Sequence, residues 1–372
     1  MLHTLVTGLD RRLVEPTIIT LFGDSESAYA LDARKRGLST LRFSLSRGGG
    51  PRVLTEFLRL TLALRRGRFD IVHCSGDRGL GAAAARLAGV RNRALTIHDL
   101  KADRDFGGQL FARLAFSTLY THVVAVSESV ADYVAAFCGV PRQTIEVIYN
   151  GVDEAPLASA PAVDVQEVGL DREAPVAIAV ARLVPEKGID RLLEAFRMVT
   201  ASVPGAALVI VGDGPQRTAL QDMVEAFGLQ RQVRIVGHKQ GVGPWLKSAS
   251  VFVMPSRTEG LGIAAVEAMA LSLPVVASRA GGLPEVVRHG ETGLLVDGQR
   301  TPGGGAEVDA ELLARAMARL LRDPGEAARL GAAGRRLYET RFSAAEFVRR
   351  HHELYARIGN REGCAGTLGT DG

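Results

Sequence analysis

Short apolar runs rich in β-branched residues recur along the chain: 17–21, 71–73, 94–97 and 122–126 in the first half, then 176–180, 207–211, 233–236, 251–254 and 274–277 in the second. Between them lie stretches such as 191–200 and 311–322, where apolar residues fall at three- and four-residue spacing. That spacing marks one face of a helix, and near-continuous apolar runs mark strands buried on both sides. Strands alternating with helices predict an α/β protein with parallel sheets covered by helices. The alternation breaks over 155–172, a segment rich in Ala, Pro and Val with weak periodicity, which reads as an interdomain linker. The predicted division is therefore 1–154, a linker at 155–172, 173–341, a last helix at 342–358, and a Gly-rich polar tail at 359–372. Residues 299–306, with Pro302 and three glycines, read as a surface loop, and no internal repeat is present.

A length of 372 residues fits two domains of ordinary size, and 47% apolar residues suffice for real cores. No apolar run is long enough to cross a bilayer and the start lacks a signal-peptide layout, which sets a cytoplasmic expectation. Cys74, Cys138 and Cys364 are scattered without pairing motifs, as in a reduced compartment. The net charge of +4 sits in the first half, with Arg34-Lys35-Arg36 and Arg65-Arg66 plus Arg68 as local clusters. These clusters are either solvated helix faces or a surface for anionic lipid or an anionic acceptor, placing the protein peripherally at the inner face of a membrane. Only 5% of residues are aromatic and none interleave with the basic clusters, which argues against nucleic acid.

Candidate chemistry concentrates in the second half. The segment Pro255-Ser256-Arg257-Thr258-Glu259-Gly260-Leu261-Gly262 leaves a predicted strand, turns on glycines and opens a helix. Glycines let backbone approach a ligand, and the first-turn amides of a helix attract an anion such as a diphosphate. Glu267 lies eight residues beyond Glu259, roughly 12 Å along the axis if the span is helical throughout. The two carboxylates can hold opposite ends of a long ligand such as a nucleotide sugar; read alone, the pair is better explained as an N-terminal helix charge and an exposed helical residue. Upstream, Arg182 and Lys187 flank a turn and could close on phosphate oxygens, or belong to an ordinary surface turn. Gly212-Asp213-Gly214, Gly237-His238 and Gly281-Gly282 end further predicted strands. Several such loops at one edge of one sheet are hard to explain as turns alone. No Asp-x-Asp follows a strand in this half and no His/Cys group has ligand spacing, so no metal site is predicted.

As an ordered set, Tyr149-Asn150-Gly151-Val152-Asp153, Arg182 to Gly188, Gly212 to Gly214, Glu259 to Ala270, and the downstream Gly281-Gly282 and Pro284-Glu285 resemble the family 4 glycosyltransferases, most specifically over 147–296. The resemblance implies a GT-B fold, two Rossmann-like domains facing a cleft, and transfer from a nucleotide sugar, UDP- or GDP-linked, with retention at the anomeric carbon. No other cofactor is implied. In that pattern Arg182 and Lys187 bind the donor diphosphate, Glu259 meets the donor sugar and Glu267 the ribose hydroxyls. The amides of Leu261 and Gly262, beside Gly260, cap the distal phosphate and sugar. Gly212, Asp213, Gly237 and His238 border the nucleotide. His98 matches the family's active-site histidine, although a turn histidine capped by Asp99 is the plainer reading. The last helix is implied to return to the first domain. Acceptors of the family are glycans, lipid-linked sugars or small molecules.

One departure stands out. The family pattern begins with a strand and a Gly-Gly loop, whereas residues 1–9 here read as an amphipathic helix and 17–21 as the second strand. Gly48-Gly49-Gly50 follows no strand and reads as a loop. A missing central strand would expose sheet edges or draw another element into the gap. Two further functions follow as alternatives: a nucleotide-sugar-binding protein with impaired catalysis, and a GT-B epimerase, which would need acidic and basic groups around the sugar.

Overall fold

The structure is a computed structural model and describes residues 2–21, 28–45, 51–75, 79–100, 116, 118–300 and 306–359. The predicted Gly48 to Gly50 loop, most of the 299–306 loop and the C-terminal tail lie outside the described residues. The chain forms two units, 1–151 with 344–372, and 152–343.

In the N-terminal unit, β1 (Thr17–Thr20) pairs in parallel with β2 (Ser39–Arg42). A second parallel sheet has the order β3 (Ile71–Ser75), β4 (Asn92–Ile97), β5 (His122–Ala125) and β6 (Ile145–Val147). No described strand joins β1 to β3, so the two sheets are separate. Among the described residues no strand precedes Thr17; instead Leu2–Gly8 forms α1. Leu5 of α1, with Leu9 just beyond it, packs with Ile71, Val124 and Ile148 and with Phe347, Leu354 and Ile358 of the last helix, Ala344–Gly359. The element drawn towards the divided sheet is thus a helix pair. Ile19 of β1 and Phe43, just after β2, share a core with Leu60 and Leu64 of α3 (Pro51–Gly67) and Ala84 and Ala85 of α4 (Leu80–Leu87). Between them, α2 spans Ala28–Lys35, and α5 (Glu128–Cys138) is capped by Ser127, whose Oγ accepts from the Val130 amide.

The C-terminal unit is built on a six-stranded parallel sheet. Its strands are β7 (Val176–Val180), β8 (Ala207–Val211), β9 (Val233–Gly237), β10 (Val251–Met254), β11 (Val275–Ser278) and β12 (Gly293–Val296). Their spatial order is β12-β11-β10-β7-β8-β9. The chain builds outward from β7 through β8 and β9, then returns to the other side of β7 with β10. The switch point therefore lies between β7 and β10, the place where open α/β sheets bind ligands. Every residue of β8, β10, β11 and β12 is buried, which is why 207–211, 251–254 and 274–277 read as apolar runs.

The stretch 155–172, expected to be a linker, is folded into this unit. It contains the single-turn α6 (Ala155–Ala158) and a 3-10 turn at Val165–Val168, and it buries Leu157, Val165 and Leu170. Three apolar anchors at irregular spacing carry no periodic signal, which hid this packing from pattern reading.

Candidate functional site

Loops at the carboxyl ends of β7, β8 and β10 are stitched to one another by backbone. After β7, the Ala181 amide donates to Val211 O at 3.0 Å and the Leu183 amide to Asp213 O at 2.9 Å. Gly212, with φ +144°, donates its amide to Gly237 O at 2.9 Å. A Cβ there would overlap the carbonyl oxygen of Ala181, so only glycine permits this approach. Asp213 accepts from the Gly214 amide and from Arg217 Nη1, each at 2.8 Å. The backbone hydrogen bond from Gly214 holds its carboxyl below the usual range. Its side chain is thus committed to the turn, while His238 is exposed next to Gly237.

At the switch point itself, the 3-10 turn Pro185–Lys187 after β7 meets the loop after β10. Lys187 Nζ lies 2.6 Å from Glu259 Oε2, and Ser256 Oγ donates to the same oxygen at 3.2 Å. The family resemblance implies separate contacts for these two side chains, with phosphate and with sugar; the structure brings them together as an ion pair with most of both side chains covered. The Gly282 amide donates to Glu259 O at 3.0 Å, adding the loop after β11 to the group. Arg182 is exposed, and its guanidinium makes no ion pair among the described residues.

The helix that follows, α10 (Ile263–Ala270), starts after Gly262 at φ +99°. In order before it come α7 (Ile189–Ser202), α8 (Arg217–Ala226) and α9 (Gly243–Lys247). Glu259 therefore precedes the helix rather than belonging to it, and the axial spacing of a continuous helix does not apply to the Glu259 and Glu267 pair. Gly260 and Leu261 are buried at the turn, and the first amides of α10 have no acceptor within the helix. Glu267 is mostly covered, and no hydrogen bond or ion pair to it occurs among the described residues. Burial alone pushes its carboxyl up to about 7. A covered carboxylate without a protein partner is costly unless a ligand supplies donors.

Sequence reading missed a second cluster. Arg257, inside the quoted motif, binds Asp190 and Glu307 together, and Arg191 shares Glu307. Both guanidinium groups are held above their ordinary value by these hydrogen-bonded carboxylates. Glu307 lies on β14 (Ala306–Val308), which pairs antiparallel with β13 (Gly298–Arg300), so the predicted 299–306 loop is flanked by a hairpin. Nothing local in the sequence links Glu307 to a residue 50 positions away.

In the N-terminal unit, Ser75 Oγ and His98 Nε2 lie 2.9 Å apart at the ends of β3 and β4. His73 bridges Tyr355 OH and Thr96 Oγ1, each at 2.7 Å, and stacks on His351 with ring centroids 5.7 Å apart. Burial lowers the pKa of His98, takes His73 down to about 3 and His351 to about 4, so these imidazoles are neutral near pH 7. They line a cavity of ≈ 180 Å³ whose other wall is the apolar face of α1, with Leu5 and Leu9. The oxygen of Asn150 is buried there without a hydrogen-bond partner among the described residues. Among the described residues no group of three or more His, Cys, Asp or Glu side chains could hold a metal.

Against this geometry, residues 163–337 match the family profile "Glycosyl transferases group 1" and residues 1–155 match "Glycosyltransferase Family 4". The alpha-maltose-1-phosphate synthase of Mycolicibacterium smegmatis is 32% identical over 297 residues, 75% of this chain and 76% of that protein. The GDP-mannose-dependent alpha-(1-6)-phosphatidylinositol monomannoside mannosyltransferase of Mycobacterium tuberculosis is 39% identical over 153 residues, 39% of this chain and only 37% of its own length. The crystal structure of Anabaena HepE in complex with UDP superposes with a TM-score of 0.79 at 20% identity, covering 96% of this chain and 95% of that one.

Proposed function

Because the chain belongs to glycosyltransferase family 4, with its two-domain GT-B fold, we propose that it transfers a sugar from a UDP- or GDP-sugar to a glycan, lipid-linked or small-molecule acceptor, retaining the anomeric configuration. The observation that carries this reading is the Lys187–Glu259 pair at the switch point, directly ahead of α10, the helix that carries Glu267 as a covered carboxylate with no hydrogen bond or ion pair among the described residues. Breaking the sugar–phosphate bond builds negative charge on the diphosphate. Lys187, Arg182 and the first amides of α10 supply positive charge to that group without a metal ion, which favours the transition state over the ground state. Glu267 accepts hydrogen bonds from ribose hydroxyls, and Glu259 from the donor sugar. His98, neutral and hydrogen-bonded to Ser75, is the proposed catalytic histidine of the N-terminal unit. A binding protein without transfer activity has no finding in its favour.

The test is a calorimetric titration with UDP and GDP, followed by NMR assignment of the anomeric configuration of product formed from a matching nucleotide sugar. Binding of neither nucleotide would remove the proposal.

The proposal extends to peripheral contact with an anionic membrane surface. On α3, Leu54, Leu58 and Leu62 repeat at four-residue spacing yet are 62%, 53% and 50% exposed, while Leu60 and Leu64 fill the core. Arg52, Arg59, Arg65 and Arg66 flank the exposed leucines, and all are exposed. An apolar stripe edged by arginines fits a helix lying in a lipid interface. No described helix is long and apolar enough to cross a membrane.

A further inference from the structure

Arg257 uses its whole donor set. Its Nε donates to Glu307 Oε2 at 2.5 Å and one Nη2 hydrogen to Glu307 Oε1 at 2.7 Å. The other Nη2 hydrogen goes to Asp190 Oδ2 at 2.7 Å, and Nη1 donates to Asp190 Oδ1 at 2.9 Å and to the Pro185 carbonyl. Five N–H groups meet five acceptors, which is all a guanidinium has. Its backbone is engaged as well: the Arg257 amide donates to Glu186 O at 2.8 Å, and its carbonyl accepts from the Ala306 amide at 2.9 Å.

These contacts join four pieces of chain. They are the turn Pro185–Lys187, the first turn of α7 at Asp190, β14 at Glu307, and the loop after β10 that carries Glu259 two residues further on. Asp190 and Glu307 neutralise the guanidinium locally, with Arg191 sharing Glu307 and pairing with Glu194, so Arg257 is no free cation for a phosphate. Lys187 lies outside this cluster. Its ammonium reaches across the switch point to Glu259, and its position depends on the turn whose Pro185 and Glu186 carbonyls Arg257 grips.

We propose that Arg257 is a positioning residue for the nucleotide-sugar donor: it fixes the 185–187 turn against the 255–262 loop and so places Lys187 where the donor's distal phosphate arrives. The inference rests on the donor reading given above. It predicts a selective defect, because a ligand without a distal phosphate has no use for a correctly placed Lys187. A general loosening of the domain would weaken every nucleotide alike.

The experiment compares wild type with Arg257→Met, Arg257→Lys and Asp190→Asn, by calorimetry with UDP and UMP and with GDP and GMP, alongside thermal midpoints. For the base that wild type binds, Arg257→Met is expected to lose about 10-fold in diphosphate affinity and less than about 2-fold in monophosphate affinity. Lysine keeps the charge but has three donors in place of five, so rescue should be partial. Asp190→Asn, which leaves Arg257 in place, should show the same selectivity at smaller size and keeps the question answerable if Arg257→Met does not fold. Equal losses for mono- and diphosphate, or no loss in any variant, would overturn the inference. Failure of wild type to bind either diphosphate would instead overturn the donor reading on which it stands.

Discussion

Lys187 Nζ and Glu259 Oε2, from loops on opposite sides of the switch point, form an ion pair at 2.6 Å. A diphosphate arriving at Lys187 has to compete with that carboxylate. Glu259→Gln should therefore bind the nucleoside diphosphate more tightly than wild type, by about 3- to 10-fold, since the amide releases the ammonium. Sugar transfer should fall by about 100-fold or more if the carboxylate is needed at the reacting sugar. Weaker diphosphate binding in the variant would show that the pair organises the site rather than competing with the ligand.

Glu267 gives a pH signature. Burial raises its folded pKa to about 7, from an ordinary value of 4.5. The folded state then binds more protons than the unfolded state between those values, so this group's contribution falls as pH rises from about 4.5 to 7. Glu267→Gln removes the charge that has to be buried. The variant should be more stable than wild type at pH 8, by about 1–3 kcal/mol, with the difference vanishing near pH 4.5. Urea unfolding at the two pH values checks this. In the same variant nucleotide affinity should drop, because an amide oxygen accepts from ribose hydroxyls more weakly than a carboxylate. Greater stability together with weaker binding would mark a group kept for its ligand.

The strands 207–211 and 251–254 were legible because burial on both faces leaves them nothing but apolar residues. The glycine loops after β8 and β10 were legible because Gly212 and Gly262 occupy positive φ, and close approach confines the choice of residue. Arg257 stands in the same motif, but nothing local in the sequence marks its role. Its partners Asp190 and Glu307 lie 67 and 50 residues away, and a contact at that separation leaves no periodicity. The ion pair of Lys187 with Glu259 was hidden for the same reason, although both residues were singled out. The stacked pair His73 and His351 depends on the last helix packing beside β3, which the spacing of either histidine does not announce.

That histidine pair should make the N-terminal unit acid-sensitive. Burial lowers His73 to about 3 and His351 to about 4, against an ordinary value of 6.5. The unfolded chain therefore binds more protons in this window, and stability is lost as pH falls below about 6.5. Among the described residues no acidic side chain hydrogen-bonds either ring; their partners are Tyr355, Thr96 and the Phe347 carbonyl. His351→Phe keeps a ring against Phe347 and cannot take up a proton. Its unfolding free energy should fall less steeply with acid, by about 1.4 kcal/mol per pH unit between pH 4.5 and 6. An unchanged slope would mean that the imidazole is already protonated when folded.

The α3 surface separates charge from apolar burial. If the helix lies in an anionic interface, Arg65→Glu with Arg66→Glu should abolish binding to phosphatidylglycerol-containing vesicles at low salt, where unscreened charge dominates. Leu54→Ser with Leu58→Ser and Leu62→Ser should leave that low-salt attraction largely intact but remove the binding that persists at 0.5 M salt, because the remaining attraction would be apolar. All three leucines point to solvent, so the serine variant should keep the thermal midpoint of wild type within a few degrees. Cosedimentation with vesicles of zwitterionic and anionic composition reads both outcomes. Wild type that stays in solution with every vesicle composition at low salt would leave the stripe without a lipid partner. Loss of binding at both salt concentrations on leucine replacement alone would show that the arginines contribute little and that the contact is apolar throughout.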